Sequence, residues 1–262
     1  MSQCTPVPTH TIRPTIRRID ETDLRWALAE GWKDFREKRG DLLVLALLYP
    51  LVGYAAAAAA FDDDLLPMFF PLVAGLTILG PAVATGFYEI ARRREAGLEA
   101  SWRHFFDPLR RGRGRTALAI LTGGLIVLFF VWLLSASLIY SAIMGAAPPD
   151  GLSGFLSQLF TTPKGWTVIL IGNLVGFAFA VVTLILSLVT FPMVIDKPVD
   201  PLTAIETSIR AVAANPRVTA SWGLRVAVLL ALGSLPAFIG LAVVLPVLGY
   251  ATWHLYTCLI ER

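Results

Sequence analysis

Six long apolar segments alternate with polar ones along the chain, and this pattern predicts the main elements. A helix crosses the roughly 30 Å hydrocarbon core of a bilayer with about 20 mostly apolar residues. The segments cover residues 42–61, 65–90, 116–144, 166–195, 218–234 and 236–260. The last two belong to one apolar run that "GSLPAF" around Pro236 divides into a hairpin. The pattern predicts an all-α fold, a polytopic membrane bundle of six transmembrane helices.

An amphipathic segment precedes three of these spans. An apolar face with aromatic residues beside basic ones is typical of a helix in the membrane interface. We therefore predict three amphipathic interfacial helices on the cytoplasmic side. The apolar positions that share a helical face are Leu24, Leu28, Trp32 and Phe35, then Leu98, Trp102, Phe105, Phe106 and Leu109, and finally Leu202, Ile205, Ile209 and Val212.

These segments share a small residue, a large apolar residue directly after it, and another apolar residue three positions later. The matching stretches are Gly31-Trp32-x-x-Phe35, Ser101-Trp102-x-x-Phe105 and Ser208-Ile209-x-x-Val212. A polar stretch that breaks the helix ("KRGD", "RRGRGR" or "ANPR") and a new span follow each one. The pattern predicts a threefold tandem repeat with units at about residues 21–91, 97–195 and 200–260. Chance similarity among helical hairpins is the alternative, and repetition alone does not imply transport.

Composition and charge fit a membrane protein and orient it. The chain has 262 residues, of which 56% are hydrophobic and 16% charged, too apolar for an ordinary soluble domain. Of the 22 Lys and Arg residues, 21 fall in the predicted inner segments, and only Lys164 falls outside. Basic residues of short loops stay in the cytoplasm, which predicts that both termini are cytoplasmic. We expect a disordered N-terminal extension at residues 1–20 and one membrane domain at residues 21–262.

Ionisable groups near the inner ends of the spans form the main candidate site. Glu89 lies about one helical turn inside the predicted inner face, and His254 about two turns inside. A buried carboxylate is unfavourable unless it is paired, so Glu89 is expected to find Arg, His or Tyr partners. Two interpretations stay open: a structural clamp, or a small polar site for a lipid headgroup or an ion. The predicted cluster comprises Glu89, Arg92, Arg93, Arg94, Tyr250 and His254.

A basic loop follows the second span, with Arg103, Arg110, Arg111, Arg113 and Arg115. Arginines clustered beside a membrane are typical of contact with anionic lipid headgroups. The predicted partners are therefore membrane lipids, and no nucleic acid is expected.

The fourth span contains Gly172, Asn173 and Gly176. Small residues four apart let helices approach closely, and an Asn side chain can hydrogen-bond to another helix. These three residues are expected to pack helices together, and homo-oligomerisation is left open.

Candidate chemistry is sparse. The sequence has no Walker loop, no dinucleotide-binding glycine motif and no H-E-x-x-H motif, and no nucleophile with a matching base is evident. We predict no enzyme, no cofactor and no metal site. The expected function is that of a non-enzymatic membrane scaffold, assembly factor or envelope-state factor. The alternative is a transporter or flippase of small or lipidic molecules.

Four stretches carry a resemblance to a known family. "IRRI", "GPAVATGFYEIARRREAG", "TFPMVIDKPVD" followed by "AANP", and "LPVLGYATWHLY" resemble a family of predicted bacterial integral membrane proteins, domain-of-unknown-function family 2189. The resemblance implies six spans in the bacterial inner membrane and no established activity. The family often has His where this chain has Tyr250, so a paired-histidine metal site would lack a ligand. Phe191-Pro192 and the later "NPR" are faintly similar to the membrane domains of some glycerophosphodiester phosphodiesterases.

Overall fold

The computed structural model describes residues 14–46, 66–110, 114–145, 151–236 and 238–261, and this part of the chain is almost entirely helical. Its α-helices are α1 (Glu21–Ala46), α2 (Phe69–Leu76), α3 (Gly80–Glu95), α4 (Asp107–Arg110), α5 (Arg115–Met144), α6 (Gly151–Thr161), α7 (Pro163–Ser187), α8 (Thr190–Asp196), α9 (Pro201–Ala214), α10 (Pro216–Ser234) and α11 (Leu241–Leu259). Three 3-10 helices cover Leu66–Met68, Thr77–Leu79 and Trp102–Phe106. The all-α prediction is confirmed.

Four described helices are long and apolar enough to cross a membrane: Leu66–Glu95, Arg115–Met144, Pro163–Asp196 and Leu241–Leu259. They correspond to the second, third, fourth and sixth predicted spans. The first predicted span lies mostly outside the described residues. The fifth corresponds to α10, which carries Arg217 and Arg225 and is not among the four. The number of six spans is therefore not confirmed.

The fourth span is interrupted between α7 and α8. Pro192 has no N–H to donate in the first turn of α8. At the junction of the two helices, the Ser208 hydroxyl of α9 bridges a separate backbone pair, accepting from Val189 N at 3.2 Å and donating to Ile185 O at 2.8 Å. Thr190 Oγ1 donates to Leu186 O at 2.5 Å. Because these hydroxyls satisfy the backbone, the irregular turn is stable among buried residues.

The first amphipathic segment differs from its prediction. The expected break at "KRGD" is absent, and α1 continues through it to Ala46. Arg17 N donates to Leu259 O, while a Cβ on Gly31 would lie 2.6 Å from Ala251 N, so α1 runs antiparallel along α11. Leu24 and Ala27 are fully buried in this contact. The prediction that this helix ends at "KRGD" is therefore wrong.

The second segment is also not one α-helix. Gly97 has a φ of 66° and ends α3, with Leu98 N bonded to Arg93 O and Gly97 N to Arg94 O. A glycine in the left-handed region is a common end of a helix. Residues 98–101 are not helical, so Leu98 does not share a helix with the residues that follow. Trp102–Phe106 then forms a 3-10 helix, and α4 adds one turn. Trp102 and Leu109 are exposed.

The third segment is a helix as predicted, α9, and Pro201 lies in its first turn. Its small and hydroxylated face is buried, whereas Leu202 and Ile209 of the predicted apolar face are exposed. The buried residues are Ala204, Thr207, Ser208 and Ala211. The three segments thus adopt three different structures, and the tandem repeat is not confirmed.

Part of the segment predicted as a disordered extension belongs to the fold. Residues 1–13 lie outside the described residues, but Ile16 forms an antiparallel bridge with Ile260. The Asn215 side chain accepts from Ile19 N at 2.9 Å and donates to Arg17 O at 3.0 Å. These bonds join residues 16–19 to Ile260 and to the start of α10. Residues 15–19 are therefore part of the fold.

We expect Asn215→Ala to release the N-terminal segment. The variant loses both side-chain bonds to residues 17 and 19, and each intramolecular hydrogen bond contributes about 1 kcal/mol. Hydrogen exchange in detergent should show faster exchange at the Ile19 amide while the middle of α11 keeps its protection. Asn173→Ala is the matched control, because Asn173 is exposed and donates only within its own helix. Unchanged exchange at Ile19 would contradict the assignment.

Candidate polar clamp

Close helix packing assembles the candidate site at the end of the bundle where α3 and α11 finish. A Cβ on Gly249 would lie 2.9 Å from Phe87, so α3 and α11 nearly touch. On its other contact surface α11 meets α1 at Gly31. The charged last turn of α3 therefore lies beside the charged half of α1. We name the resulting set the polar clamp; it comprises Asp34, Glu37, Glu89, Arg92, Arg93, Arg94 and His254.

Asp34 connects three helices. One carboxylate oxygen accepts from Arg94 Nη1 of α3 at 2.6 Å, and the other lies 2.9 Å from His254 Nε2 of α11. An ionised carboxylate only accepts hydrogen bonds, so Nε2 carries the proton in this contact. Arg94 also bonds to Glu37. Asp34 is only 6% exposed, and the two partners compensate the loss of its hydration.

Glu89 forms a second ion-pair group on α3. Arg92 binds it through two atoms, with Nη2 at 2.7 Å from Oε1 and Nε at 2.8 Å from Oε2. Arg93 Nη1 lies 3.8 Å from Oε1, and its Nε donates to Glu99 O at 2.7 Å. The polar clamp thus has two parts, one around Glu89 and one around Asp34. The arginine partners of Glu89 agree with the sequence prediction. The prediction also placed Glu89 and His254 in one cluster, but in the structure they belong to the two different parts of the clamp.

Tyr250 is placed differently from the expectation. Its ring is fully buried and packs edge-on against Phe87 at 5.7 Å. Its hydroxyl has no hydrogen-bond partner among the described residues. Tyr250 therefore contributes packing between α3 and α11, and it is not an observed partner of Glu89.

Aromatic donors on α11 bind two further carboxylates at this end. Tyr256 donates to Asp196 at 2.8 Å, and Trp253 Nε1 donates to Glu95 at 3.2 Å. Sequence reasoning missed these pairs and missed Asp34. The available signal was Ala27, Gly31 and Asp34, which lie on one face of α1, because small residues at this spacing indicate close approach to another helix.

Outside the polar clamp, Arg225 of α10 bonds to Glu21 at the start of α1. The pKa of Glu21 is lowered from its usual value because the Ser221 hydroxyl and Arg225 both bond to the charged carboxylate. Arg225 Nη1 is buried and has no hydrogen-bond partner among the described residues. This ion pair joins α10 to α1, which packs on α11.

The described part of the basic loop is exposed. Arg103, Arg110 and Arg115 are accessible, while Arg111 and Arg113 lie outside the described residues. The guanidinium of Arg110 lies 5.6 Å from the centre of the Phe106 ring. Arg115 is the first residue of α5, where a positive charge is unfavourable to the helix dipole. Its role is therefore not to stabilise that helix.

The three predicted packing residues of α7 differ in their contacts. A Cβ on Gly176 would contact Trp132 at 3.1 Å, so this glycine does lie against α5. Gly172 faces open space, and Asn173 donates to Ile169 O of its own helix at 2.8 Å. The expected bond from Asn173 to another helix is not made within the described chain.

Among the described residues, no group of three or more His, Cys, Asp or Glu side chains is arranged to hold a metal ion. The long apolar helices and the paired charges at one end define the chain as a helical integral membrane protein. Residues 69–196 match the family described as "Predicted integral membrane protein (DUF2189)". The resemblance to this family is therefore confirmed over these residues, which make up just under half of the chain.

No curated protein and no solved structure matches the chain. The faint similarity to glycerophosphodiester phosphodiesterase membrane domains thus has no support. The matched region covers Glu89 and its arginines, whereas Asp34 and His254 lie outside it. The polar clamp joins the matched region to the flanking helices α1 and α11.

Proposed function

We propose that the chain is a non-enzymatic scaffold of the bacterial inner membrane, acting in assembly or in the response to envelope state. The observation that carries the proposal is that the buried carboxylates of the polar clamp are paired with groups of the chain itself. Asp34 bonds to Arg94 and His254, and Glu89 bonds to Arg92. Charges already satisfied by neighbours favour a fixed arrangement over a site open to substrate. Of the two interpretations of Glu89 and His254, we propose the structural clamp.

The same proposal includes six spans with both termini in the cytoplasm. Two observations support it. The described chain ends meet, since Arg17 N donates to Leu259 O, so both ends lie at the same end of the bundle. The basic residues of the last turn of α3 lie at that end too, which favours its cytoplasmic orientation.

Transport or lipid flipping is the alternative. Polar groups within membrane spans usually mark ion and substrate paths. In the four candidate spans, the described charged residues lie within a few turns of a span end, as Glu89, Arg115 and Lys164 do. The central parts of these spans carry no charged side chain among the described residues, which favours the scaffold.

The test separates the two functions in reconstituted vesicles. Protein in vesicles of phosphatidylethanolamine and phosphatidylglycerol should move fluorescent lipid between leaflets no faster than protein-free vesicles do. Photo-crosslinking in native membranes from exposed Glu206 on α9 should in parallel give a discrete protein adduct. That adduct should weaken in the clamp variant Asp34→Asn. Lipid movement above the protein-free rate that Asp34→Asn abolishes would instead establish the alternative.

We further propose that the exposed basic loop contacts anionic headgroups. Arg103 and Arg110 are exposed beside Trp102 and Leu109, which combines positive charge with apolar contact at the interface. Arg103→Glu together with Arg110→Glu should reduce the phosphatidylglycerol that stays bound in native mass spectrometry. Lys164→Glu, an exposed cation at the opposite end of the spans, should leave that lipid unchanged. Equal retention by all variants would refute the contact.

A further inference from the structure

Helix α6 lies between two candidate spans, and its surface divides into three stripes. Gly151, Gly154, Phe155 and Leu159 are partly buried, and the Phe155 ring lies 6.3 Å from that of Tyr140 on α5. An exposed apolar stripe holds Leu152, Leu156 and Phe160, each four residues after the last. An exposed hydroxyl stripe holds Ser153, Ser157 and Thr161 at the same spacing. One side of α6 thus packs on protein, and two chemically different sides remain.

The junction between α6 and α7 fixes the direction of α6. Thr162 caps α7 by accepting from Gly165 N at 3.0 Å. A Cβ on Gly165 would lie 2.1 Å from Leu159 O, so the two helices meet at backbone distance. Trp166 Nε1 donates to Phe160 O at 3.0 Å. These contacts hold the α6 stripes in a constant position relative to the start of α7.

The apolar stripe continues the apolar outer surface of α7. Trp166 is exposed and lies against the Phe160 carbonyl, and Leu170 and Leu174 are exposed one and two turns further along. Helix α7 opens a candidate span whose outward apolar side chains face lipid if that span is in the membrane. Residues 151–163 contain no charged side chain. A neutral helix with a Trp at its junction is suited to the boundary between hydrocarbon and water.

We propose that α6 is an interfacial helix whose partner is the lipid of the leaflet at the end opposite the polar clamp. Leu152, Leu156 and Phe160 lie in the acyl-chain region, and Ser153, Ser157 and Thr161 face the headgroups and water. Trp166 marks the boundary between the two regions. The helix anchors the connection between two spans to the bilayer surface. This proposal does not depend on the scaffold proposal.

The test compares adjacent residues on the two stripes. Leu156→Cys and Ser157→Cys are made with Cys4 and Cys258 replaced by serine, spin-labelled, and reconstituted in vesicles of phosphatidylethanolamine and phosphatidylglycerol. Oxygen, which concentrates in hydrocarbon, should collide with the label at 156 several-fold more than a water-soluble nickel chelate does. The ratio should reverse at 157. Phe160→Cys and Thr161→Cys repeat the comparison one turn on, so that one poorly folded variant does not decide the result.

Two results would overturn the proposal. High nickel-chelate collision at both 156 and 160 would place the apolar stripe in water. Low collision with both reagents at these positions would show that protein covers it, as in a contact with a second copy of the chain.

Discussion

Asp34→Ala is expected to lower the free energy of unfolding by about 3–5 kcal/mol, the range for removing one partner of a buried ion pair. The variant leaves Arg94 with only the more exposed Glu37 as a carboxylate partner and leaves His254 Nε2 without an acceptor. Three helices, α1, α3 and α11, lose their shared contact at once. Titration with SDS in mixed micelles measures the change.

The matched control is Glu30→Ala on the same helix. Glu30 lies 3.5 Å from Lys33, whose side chain is 61% exposed, and such pairs contribute less than about 1 kcal/mol. If the two alanine variants lose similar stability, Asp34 does not hold the helices together. The double variant Asp34→Asn with His254→Gln should lose less than the sum of its single changes, because both remove one contact.

Gly31→Ala is expected to destabilise the protein by about 1–3 kcal/mol, the usual range for an overpacked interior. The added Cβ would lie 2.6 Å from Ala251 N and 2.9 Å from Ala251 Cα. Both are backbone atoms of α11, which cannot rotate away, so α1 and α11 must separate. The same SDS titration measures this loss.

Gly172→Ala is the same chemical change on α7, but it is expected to raise the free energy of unfolding. Nothing lies within 4 Å of the added Cβ, and alanine in a helix interior is more stable than glycine by about 1 kcal/mol. The two variants should therefore differ in sign. A neutral or stabilising result for Gly31→Ala would show that α1 does not pack on α11 at this position.

Local composition was sufficient to predict the helical class and four of the candidate spans. Apolar runs of sufficient length are read without knowledge of any neighbour. The predicted turn near Pro236 is also confirmed, since α10 ends at Ser234 and α11 begins at Leu241. Sequence patterns therefore predict which segments form long apolar helices.

Helix partners could not be read from these patterns. The expected break near Gly40 rested on one weak helix breaker without a proline, and packing of α1 on α11 outweighs its cost of about 1 kcal/mol. The partners of Asp34 lie 60 and 220 positions away in the sequence. Periodicity in one segment cannot indicate a residue so distant.

The candidate site was predicted in part for the same reason. Glu89 and its arginines are three and four residues apart on one helix, a spacing that brings side chains together in any α-helix. Asp34, Glu95 and Asp196 depend on which helices become neighbours. The sequence therefore indicated the local half of the site and missed the half built between helices.

The contact between residues 15–19 and residues 259–261 also has a consequence for biogenesis. Residues 15–19 cannot form this contact until residues 259–261 have left the ribosome, because Arg17 is hydrogen-bonded directly to Leu259. At about 5–20 residues per second, synthesis of the intervening chain takes roughly 12–50 s. During that time α1 is a newly made helix whose buried carboxylate has no partner on α11. A chain truncated before α11 would keep Asp34 in that state.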